Sequence, residues 1–168
     1  MLTIRPERPA DIPAIRRVIE AAMRPAEADL VEALRSVYPG LISLIAALEG
    51  QVVGHILFSP ITIQTPKDTL PGLGLGPLAV LPELQRQGIG SALVQRGLDI
   101  CREQGHARIC VLGHRDYYPR FGFAPASKFA LHWEHKANLD DFMVLALTPG
   151  ALDGVQGIIR YLPEFEGV

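Results

Sequence analysis

Cysteine is scarce in this chain. Cys101 and Cys110 are the only two, and they form neither a CxxC pair nor a metal-ligand spacing. Two buried thiols in a reducing compartment are expected, hence a cytoplasmic protein without a metal centre. Long apolar runs are missing as well: none of the 168 residues belongs to a stretch able to span a bilayer. The start, "MLTIRPERPAD", turns polar at once, so no secretory signal is expected there. Excess positive charge is the third absence. Charged residues make up 20% of the chain, the formal net charge is −2 and the sequence pI is 6.2. A nucleic-acid-binding face or an anionic-membrane surface would raise that pI, so neither partner is expected. Repeats, low-complexity tracts and linkers are also lacking. What is present is a hydrophobic content of 48%. That suits one compact domain across residues 1–168 with a full-sized core.

Periodicity and turn residues predict the order of elements. Leu2 to Pro6 reads as a short strand. Asp11 is expected to cap a helix through its carboxylate, with Pro13 in the first turn, where its missing N–H costs nothing. Ile12, Ile15, Val18, Ile19, Ala22 and Met23 follow at helical spacing, with Arg16, Arg17 and Glu20 outside. Pro25 ends that helix, and Ala26 to Tyr38 forms a second one, closed by Pro39 and Gly40. Leu41 to Gln64 holds two strands around a turn at Glu49-Gly50-Gln51. Thr65 to Gly74 reads as a surface loop by its Pro, Asp and Gly content. Leu75 to Leu81 is a mostly buried strand. Ser91 to Gln104 is a helix with Ile89, Ala92, Leu93, Ile100 and Cys101 inward, and Gly105 is its left-handed stop. Ala107 to Gly113 is a strand buried on both faces, Arg115 to Phe123 a short turn, and Phe129–Trp133 and Phe142–Thr148 two late strands. The tail from Pro149 has no clear pattern. The strand–helix–strand unit from Leu75 to Gly113 predicts one right-handed parallel crossover in a sheet that is otherwise antiparallel first.

Glycines mark the stretch with the most chemistry. A nucleotide P-loop would need Lys and Ser/Thr after the last glycine, but Ser91 and Ala92 follow Gly90. Gly74 to Ala79 matches a dinucleotide fingerprint by letters, but a loop precedes it and a strand follows, the reverse of what that fingerprint needs. "Gln85-Arg86-Gln87-Gly88-Ile89-Gly90-Ser91" has the right context: it follows a strand and opens a helix. First-turn amides have no partner inside a helix and carry the positive end of its dipole. Without Cβ atoms at Gly88 and Gly90, a diphosphate can approach those amides closely, with Arg86 adding charge and Ser91 a hydroxyl. A plain tight turn with glycines for packing is the competing account.

The first six of these residues resemble the Q/R-x-x-G-x-G/A signature of the GNAT superfamily of N-acetyltransferases. Leu78-Ala79-Val80 resembles the strand before that signature. Tyr118-Pro119-Arg120-Phe121-Gly122-Phe123 resembles the family's Y-x-x-x-G-F element, and Arg5 to Asp11 its first strand and helix. The likeness spans residues 2–147 and leaves 148–168 as a C-terminal extension. Within the superfamily, "VLGHRDYYPRFGF" is most similar to a bacterial YhbS-like subgroup with poorly defined substrates. The resemblance implies an α/β fold: a mixed, mostly antiparallel twisted sheet of about seven strands with flanking helices and a splayed central strand pair. It implies acetyl-CoA as co-substrate, lying between the splayed strands. The pyrophosphate would meet the amides of Gln87, Gly88, Ile89, Gly90 and Ser91 beside Arg86. The pantetheine arm would pair with the backbone of Leu78, Ala79 and Val80 like an added strand.

Acetyl transfer to an amine needs a base, an oxyanion donor and an acid. The resemblance makes Tyr118 the general acid, with Tyr117 as its fallback: a phenol of pKa near ~10 donates a proton at neutral pH without being ionised. The Val80 amide would polarise the thioester carbonyl. Better-known relatives carry a Glu on the fourth strand where this chain has Gly76. The base candidates are therefore His55, His114, Asp116 or a water chain. "His132-Trp133-Glu134-His135" invites a metal reading, but on a strand residues three apart face opposite ways, so no metal is expected. Trp133 is a candidate wall of an acceptor pocket. The expected activity is direct transfer to a primary amine, on a small molecule or a protein, in a ternary complex; no cysteine is placed for a covalent relay. A non-catalytic acyl-CoA-binding sensor is the alternative. Oligomeric state stays open, a homodimer included.

Overall fold

The computed structural model describes residues 1–136 and 139–168. The elements in chain order are β1 (Leu2–Pro6), α1 (Ile12–Ala22), α2 (Pro25–Val37), β2 (Ile42–Leu48), β3 (Gln51–Gln64), β4 (Thr69–Val80), α3 (Ile89–Glu103), β5 (Arg108–Leu112), β6 (Ala124–Pro125), β7 (Leu131–Trp133), β8 (Phe142–Ala146) and β9 (Gly157–Arg160). Hydrogen bonding runs in the order β1-β2-β3-β4-β5-β8-β6, and β9 pairs with both β3 and β7. The β4–β5 and β7–β9 pairs are parallel. The β1–β2, β2–β3, β3–β9, β5–β8 and β6–β8 pairs are antiparallel. This is the mixed, mostly antiparallel α/β sheet that the resemblance implies, including its parallel crossover through α3. Among the described residues, no helix is long and apolar enough to cross a membrane.

The residues group into two compact units: Met1–Phe58 with Gly76–Ile100 and Pro163–Val168, and Ser59–Leu75 with Cys101–Leu162. In the first unit, β2 and β3 are joined by Glu49 and Gly50 at φ 50° and 78°. Two successive left-handed residues match the right-handed twist of the strands they connect. Ile15, Val18 and Ile19 of α1 and Ala28, Leu30, Val31 and Leu34 of α2 are buried at helical spacing. Arg16 on α1 bonds Asp29 at 2.8 Å and Glu32 at 3.0 Å on α2. Met23, expected on the inner face, is 40% exposed because the helix stops at Ala22.

Asp11 stands at the N-cap position of α1, as expected, but its carboxylate makes no capping bond to that helix. It has helical backbone angles (φ −80°, ψ −17°) and closes the short 3-10 turn Pro9–Asp11. Its carboxylate accepts from the Arg8 N–H at 2.7 Å and from the Arg5 guanidinium at 2.8 and 3.0 Å. Pro9 starts the coil early, so the amide needing a partner lies one turn upstream of the expected place.

In the second unit, Ile61, Ile63, Cys110, Leu131, Phe142, Val144 and Ile159 form a core. The expected loop from Thr65 to Gly74 shrinks to a turn. Thr65 bonds Asp68, and β4 begins at Thr69. Pro71, Gly72 and Gly74 read as turn residues by composition, but they lie in a strand. A Cβ on Gly72 would meet Ile61 Cδ1 at 2.8 Å, so the missing side chain is what admits Ile61. Leu112, expected to be buried, is 44% exposed at the end of β5. The tail supplies β9, which composition did not flag.

On α3, a Cβ at Gly97 would lie 2.4 Å from two ring carbons of Phe58 on β3. Gly→Ala in a helix ordinarily stabilises by up to about 1 kcal/mol. Here overpacking, typically about 1–3 kcal/mol, works against it. Gly97→Ala is therefore expected to lower stability in urea unfolding, and a more stable variant would show that the Phe58 ring yields freely.

Candidate active site

The first unit holds the glycine turn. The β4–β5 register covers Leu73–Leu75 against Ile109–Val111, and β4 continues past it through Gly76–Val80. Leu81 N–H then bonds Val53 C=O on β3 at 3.0 Å. A 3-10 turn at Pro82–Leu84 follows, and the Gln85 side chain donates from Nε2 to Val80 C=O at 3.0 Å. Arg86 (φ 63°) and Gly88 (φ 88°) are both left-handed. A left-handed arginine is uncommon and costs strain, which the surrounding turn has to hold. A Cβ on Gly88 would meet nothing within 4 Å, so glycine serves the backbone conformation there and not packing. Ile89 is buried and anchors the start of α3. The first bond inside the helix runs from Ala92 N–H to Gly88 C=O at 3.0 Å. The amides of Ile89 and Gly90 therefore have no partner within the helix. Arg86, Gln87 and Gly88 are exposed, Leu78, Gly90 and Ser91 half-buried, and Ala79 and Val80 buried.

His55, on β3 in the same unit, is fully buried. Its Nε2 lies 2.8 Å from Ser43 Oγ. Ser43 spends its proton on the Glu7 carboxylate, and Glu7 is also paired with Arg35 at 2.7 and 3.1 Å. The Ser43 oxygen is then the acceptor, so neutral His55 carries its proton on Nε2. Among the described residues Nδ1 has no partner. Burial pushes the His55 imidazole below its ordinary range, with the Glu7 carboxylate opposing. Burial also works to raise the pKa of Glu7, but the His55 ring, Arg35 guanidinium and Ser43 hydroxyl outweigh it and hold the carboxyl well below the usual range.

Tyr118 lies in the second unit. It opens the 3-10 turn Tyr118–Phe121, which left-handed Gly122 (φ 100°) closes. Tyr117 and Tyr118 both donate their N–H groups to His114 C=O, at 3.0 and 3.2 Å. The Tyr118 ring is buried edge-on to Tyr117 (5.1 Å, 84°) and Phe123 (5.7 Å, 75°). A Cβ on Gly113 would fall 2.4 Å from that ring, so glycine is required for Tyr118 to seat. Burial, and after it Tyr117, push the Tyr118 phenol above its ordinary value; it is protonated at neutral pH. His114 and Asp116 are exposed on the same turn. Farther on, Trp133 stacks on Phe142 at 6.5 Å and meets His135 edge-on at 5.0 Å. His132 is in β7 and His135 in the turn after it.

The structure thus gathers His55, Leu78–Val80 and Arg86–Ser91 in one unit, and His114, Asp116 and Tyr118 in the other. Sequence reasoning missed the Glu7–Arg35–Ser43 partners of His55, because they come from separate segments with no shared motif.

A scan against family models matches residues 12–123 to the acetyltransferase (GNAT) family. The uncharacterized N-acetyltransferase YhbS of Escherichia coli strain K12 is 36% identical over 166 residues, 98% of each chain. The chain belongs to the GNAT acetyltransferase family. Two solved GNAT structures superpose on it. The crystal structure of E. coli YhbS in complex with CoA has a TM-score of 0.89 at 36% identity, covering 98% of this chain and 91% of that one. A GNAT acetyltransferase from Brucella melitensis in complex with acetyl-CoA has a TM-score of 0.80 at 39% identity, covering 99% of both.

The network around buried His55 makes stability depend on pH with a definite sign. Depressed in the fold, Glu7 contributes fully above its unfolded value, about 4.3, and that contribution is lost as pH falls. His55 acts in the same direction: below about pH 6.5 the unfolded imidazole takes up a proton that the folded one resists. Urea midpoints should fall from neutral pH downward, and Glu7→Gln should be less stable at pH 7 with a flatter acid limb. An equally steep limb in that variant would remove Glu7 from the account.

Proposed function

We propose that this GNAT protein is an acetyl-CoA-dependent N-acetyltransferase that moves an acetyl group directly to a primary amine in a ternary complex. The observation that carries this reading is the turn after β4, where Arg86 and Gly88 are left-handed and exposed just before α3 begins, and a Cβ on Gly88 would meet nothing within 4 Å. Relatives of nearly the same length solved with CoA and acetyl-CoA support it. The amides of Gln87 to Ser91 hold the pyrophosphate, Arg86 adds charge, and the backbone of Leu78, Ala79 and Val80 holds the pantetheine arm. No side chain from this stretch is needed beyond Arg86 and the Ser91 hydroxyl.

The amine nitrogen attacks the thioester carbonyl carbon, and the C–S bond breaks. The Val80 amide stabilises the oxyanion between these events. Tyr118, kept protonated by its buried setting, passes its proton to the leaving thiolate. The proton shed by the amine goes to a base. His114 is the candidate on exposed chain in the turn that carries Tyr118; Asp116 is exposed there too. His55 reaches an amine only through its buried Ser43–Glu7 network or through water. We read residues 1–168 as a single domain in which the extension 148–168 completes the sheet, working in the cytoplasm where acetyl-CoA is available.

Acetyl-CoA consumption against a panel of amines, peptides and aminoglycosides tests the activity. Tight CoA binding with no amine ever acetylated would favour the non-catalytic acyl-CoA sensor, a reading that Gly76 in place of a strand carboxylate makes concrete. Tyr118→Phe should lower kcat by about 10²-fold and leave the KM for acetyl-CoA nearly unchanged. Gly90→Val should weaken CoA binding at least about tenfold by calorimetry, since a β-branched side chain obstructs approach to the helix amides. Unchanged affinity in a folded Gly90→Val protein would sink the cradle.

A further inference from the structure

At the end of β4 a side chain supplies a hydrogen bond that the backbone leaves open. Leu81 N–H points to β3 and bonds Val53 C=O at 3.0 Å. The peptide group is planar and trans, so the Val80 C=O of that same peptide points the opposite way, to the edge of β4 turned from β3. Val80 closes β4, and in a strand the N–H and C=O of one residue share an edge. The Val80 N–H therefore faces that far edge too, while the groups of Ala79 before it face β3. Ala79 C=O accordingly lies 3.4 Å from where a Cβ on Gly54 of β3 would stand. The β4–β5 register stops at Leu75, before Val80 is reached.

Gln85 takes one of the two groups that Val80 turns to this edge. Its Nε2 donates to Val80 C=O at 3.0 Å. Only the NH2 end of a carboxamide can face a carbonyl, so the sense of this bond is fixed. The backbone brings the side chain back: Gln85 follows the turn Pro82–Leu84, bonds Pro82 C=O through its own N–H at 3.4 Å, and is extended at φ −68° and ψ 157°. Left-handed Arg86 comes next, so the bond ties the strand end to the start of the glycine turn. The Val80–Leu81 peptide is thus held from both sides, by Val53 and by Gln85. What remains for a ligand is the Val80 N–H, a donor whose companion acceptor is already satisfied. All of these residues belong to the first unit.

We propose that Gln85 is a positioning residue for acyl transfer: by taking the Val80 carbonyl it leaves Val80 as a donor alone, which fits a thioester oxygen. The inference rests on the acetyl-CoA reading above. Each amide of a pantetheine arm carries an N–H beside its C=O, and at Val80 that N–H meets a carbonyl already satisfied. A thioester carries a C=O and no N–H, so it uses the lone donor in full. Gln85 also keeps the Val80–Leu81 peptide from rotating, and a donor fixed in advance is worth more to a developing oxyanion than one that must be ordered first.

Difference infrared spectroscopy of the full chain with acetyl-CoA isotope-labelled at the acetyl carbonyl tests this without any acceptor amine. Spectra taken at saturating acetyl-CoA keep weaker binding from imitating the effect. In the wild type the labelled carbonyl stretch should lie below that of free acetyl-CoA, since an N–H donor polarises the bond. Gln85→Met keeps the length of the side chain and removes its donor; it should lose at least about half of that shift. Gln85→Arg, which returns N–H donors to the same position, should recover it. Gln85 is exposed, so these replacements leave the core intact. If far-UV circular dichroism shows Gln85→Met unfolded, Gln85→Glu, whose carboxylate has no proton to donate, carries the same comparison. A shift retained in full without the donor, a shift absent from the wild type, or a loss that Gln85→Arg does not recover overturns the role of Gln85, while bound acetyl-CoA still supports the acetyl-CoA reading. Absence of acetyl-CoA binding by the wild type overturns that reading and the inference with it.

Discussion

A strand that stops pairing on one edge before it ends has backbone groups in need of other partners, and β4 is such a strand. It leaves its register with β5 after Leu75 and runs on to Val80. Backbone N–H and C=O groups are rarely left alone, so the segment after β4 has to supply partners or leave the edge to a ligand. The chain does part of this itself: the Gln85 side chain returns to the Val80 carbonyl, while on the opposite side Leu81 stays tied to Val53 of β3. The left-handed residues Arg86 and Gly88 follow within this segment, and α3 begins at Ile89.

One polar network of the first unit reaches a fully buried side chain, His55. Glu7, Arg35, Ser43 and His55 come from the segment after β1, from α2, from β2 and from β3. Breaking such a network by removing one member leaves a buried polar group without compensation. Its members are therefore interdependent, and the burial that keeps His55 neutral is what Glu7 and Arg35 make tolerable. An imidazole held this way is closed off from solvent, whereas His114 lies on the exposed turn before Tyr118.

Missing side chains shape the second unit. Gly72 and Gly74 clear one face of β4 for Ile61 and Tyr161, and Gly113 clears space for Tyr118. Aromatic rings then fill what the glycines vacate, edge to face around Tyr118, a geometry that adds to simple area burial. Glycine thus has different jobs in this chain: at Gly88 and Gly122 it serves a left-handed backbone, and at Gly74, Gly97 and Gly113 it makes room for a ring.

Local features were legible in the sequence. The amphipathic faces of α1, α2 and α3, the Glu49-Gly50 hairpin, the left-handed stop at Gly105 and the GNAT hexapeptide all express preferences of a few neighbouring residues, which survive in any fold that accepts them. Asp11 holds the expected place before α1, but its carboxylate is taken by the Arg8 N–H and the Arg5 guanidinium, because the 3-10 turn Pro9–Asp11 comes first. Thr69–Gly74 was misread because glycine and proline signal turns locally, whereas here Ile61 and Tyr161, distant in sequence, make use of the bare strand. β9, the seating of Tyr161 and the network around His55 were decided by the tertiary structure alone. Each depends on contacts between residues far apart in the chain, and the free energy of such contacts comes from burial and pairing that no single segment carries by itself.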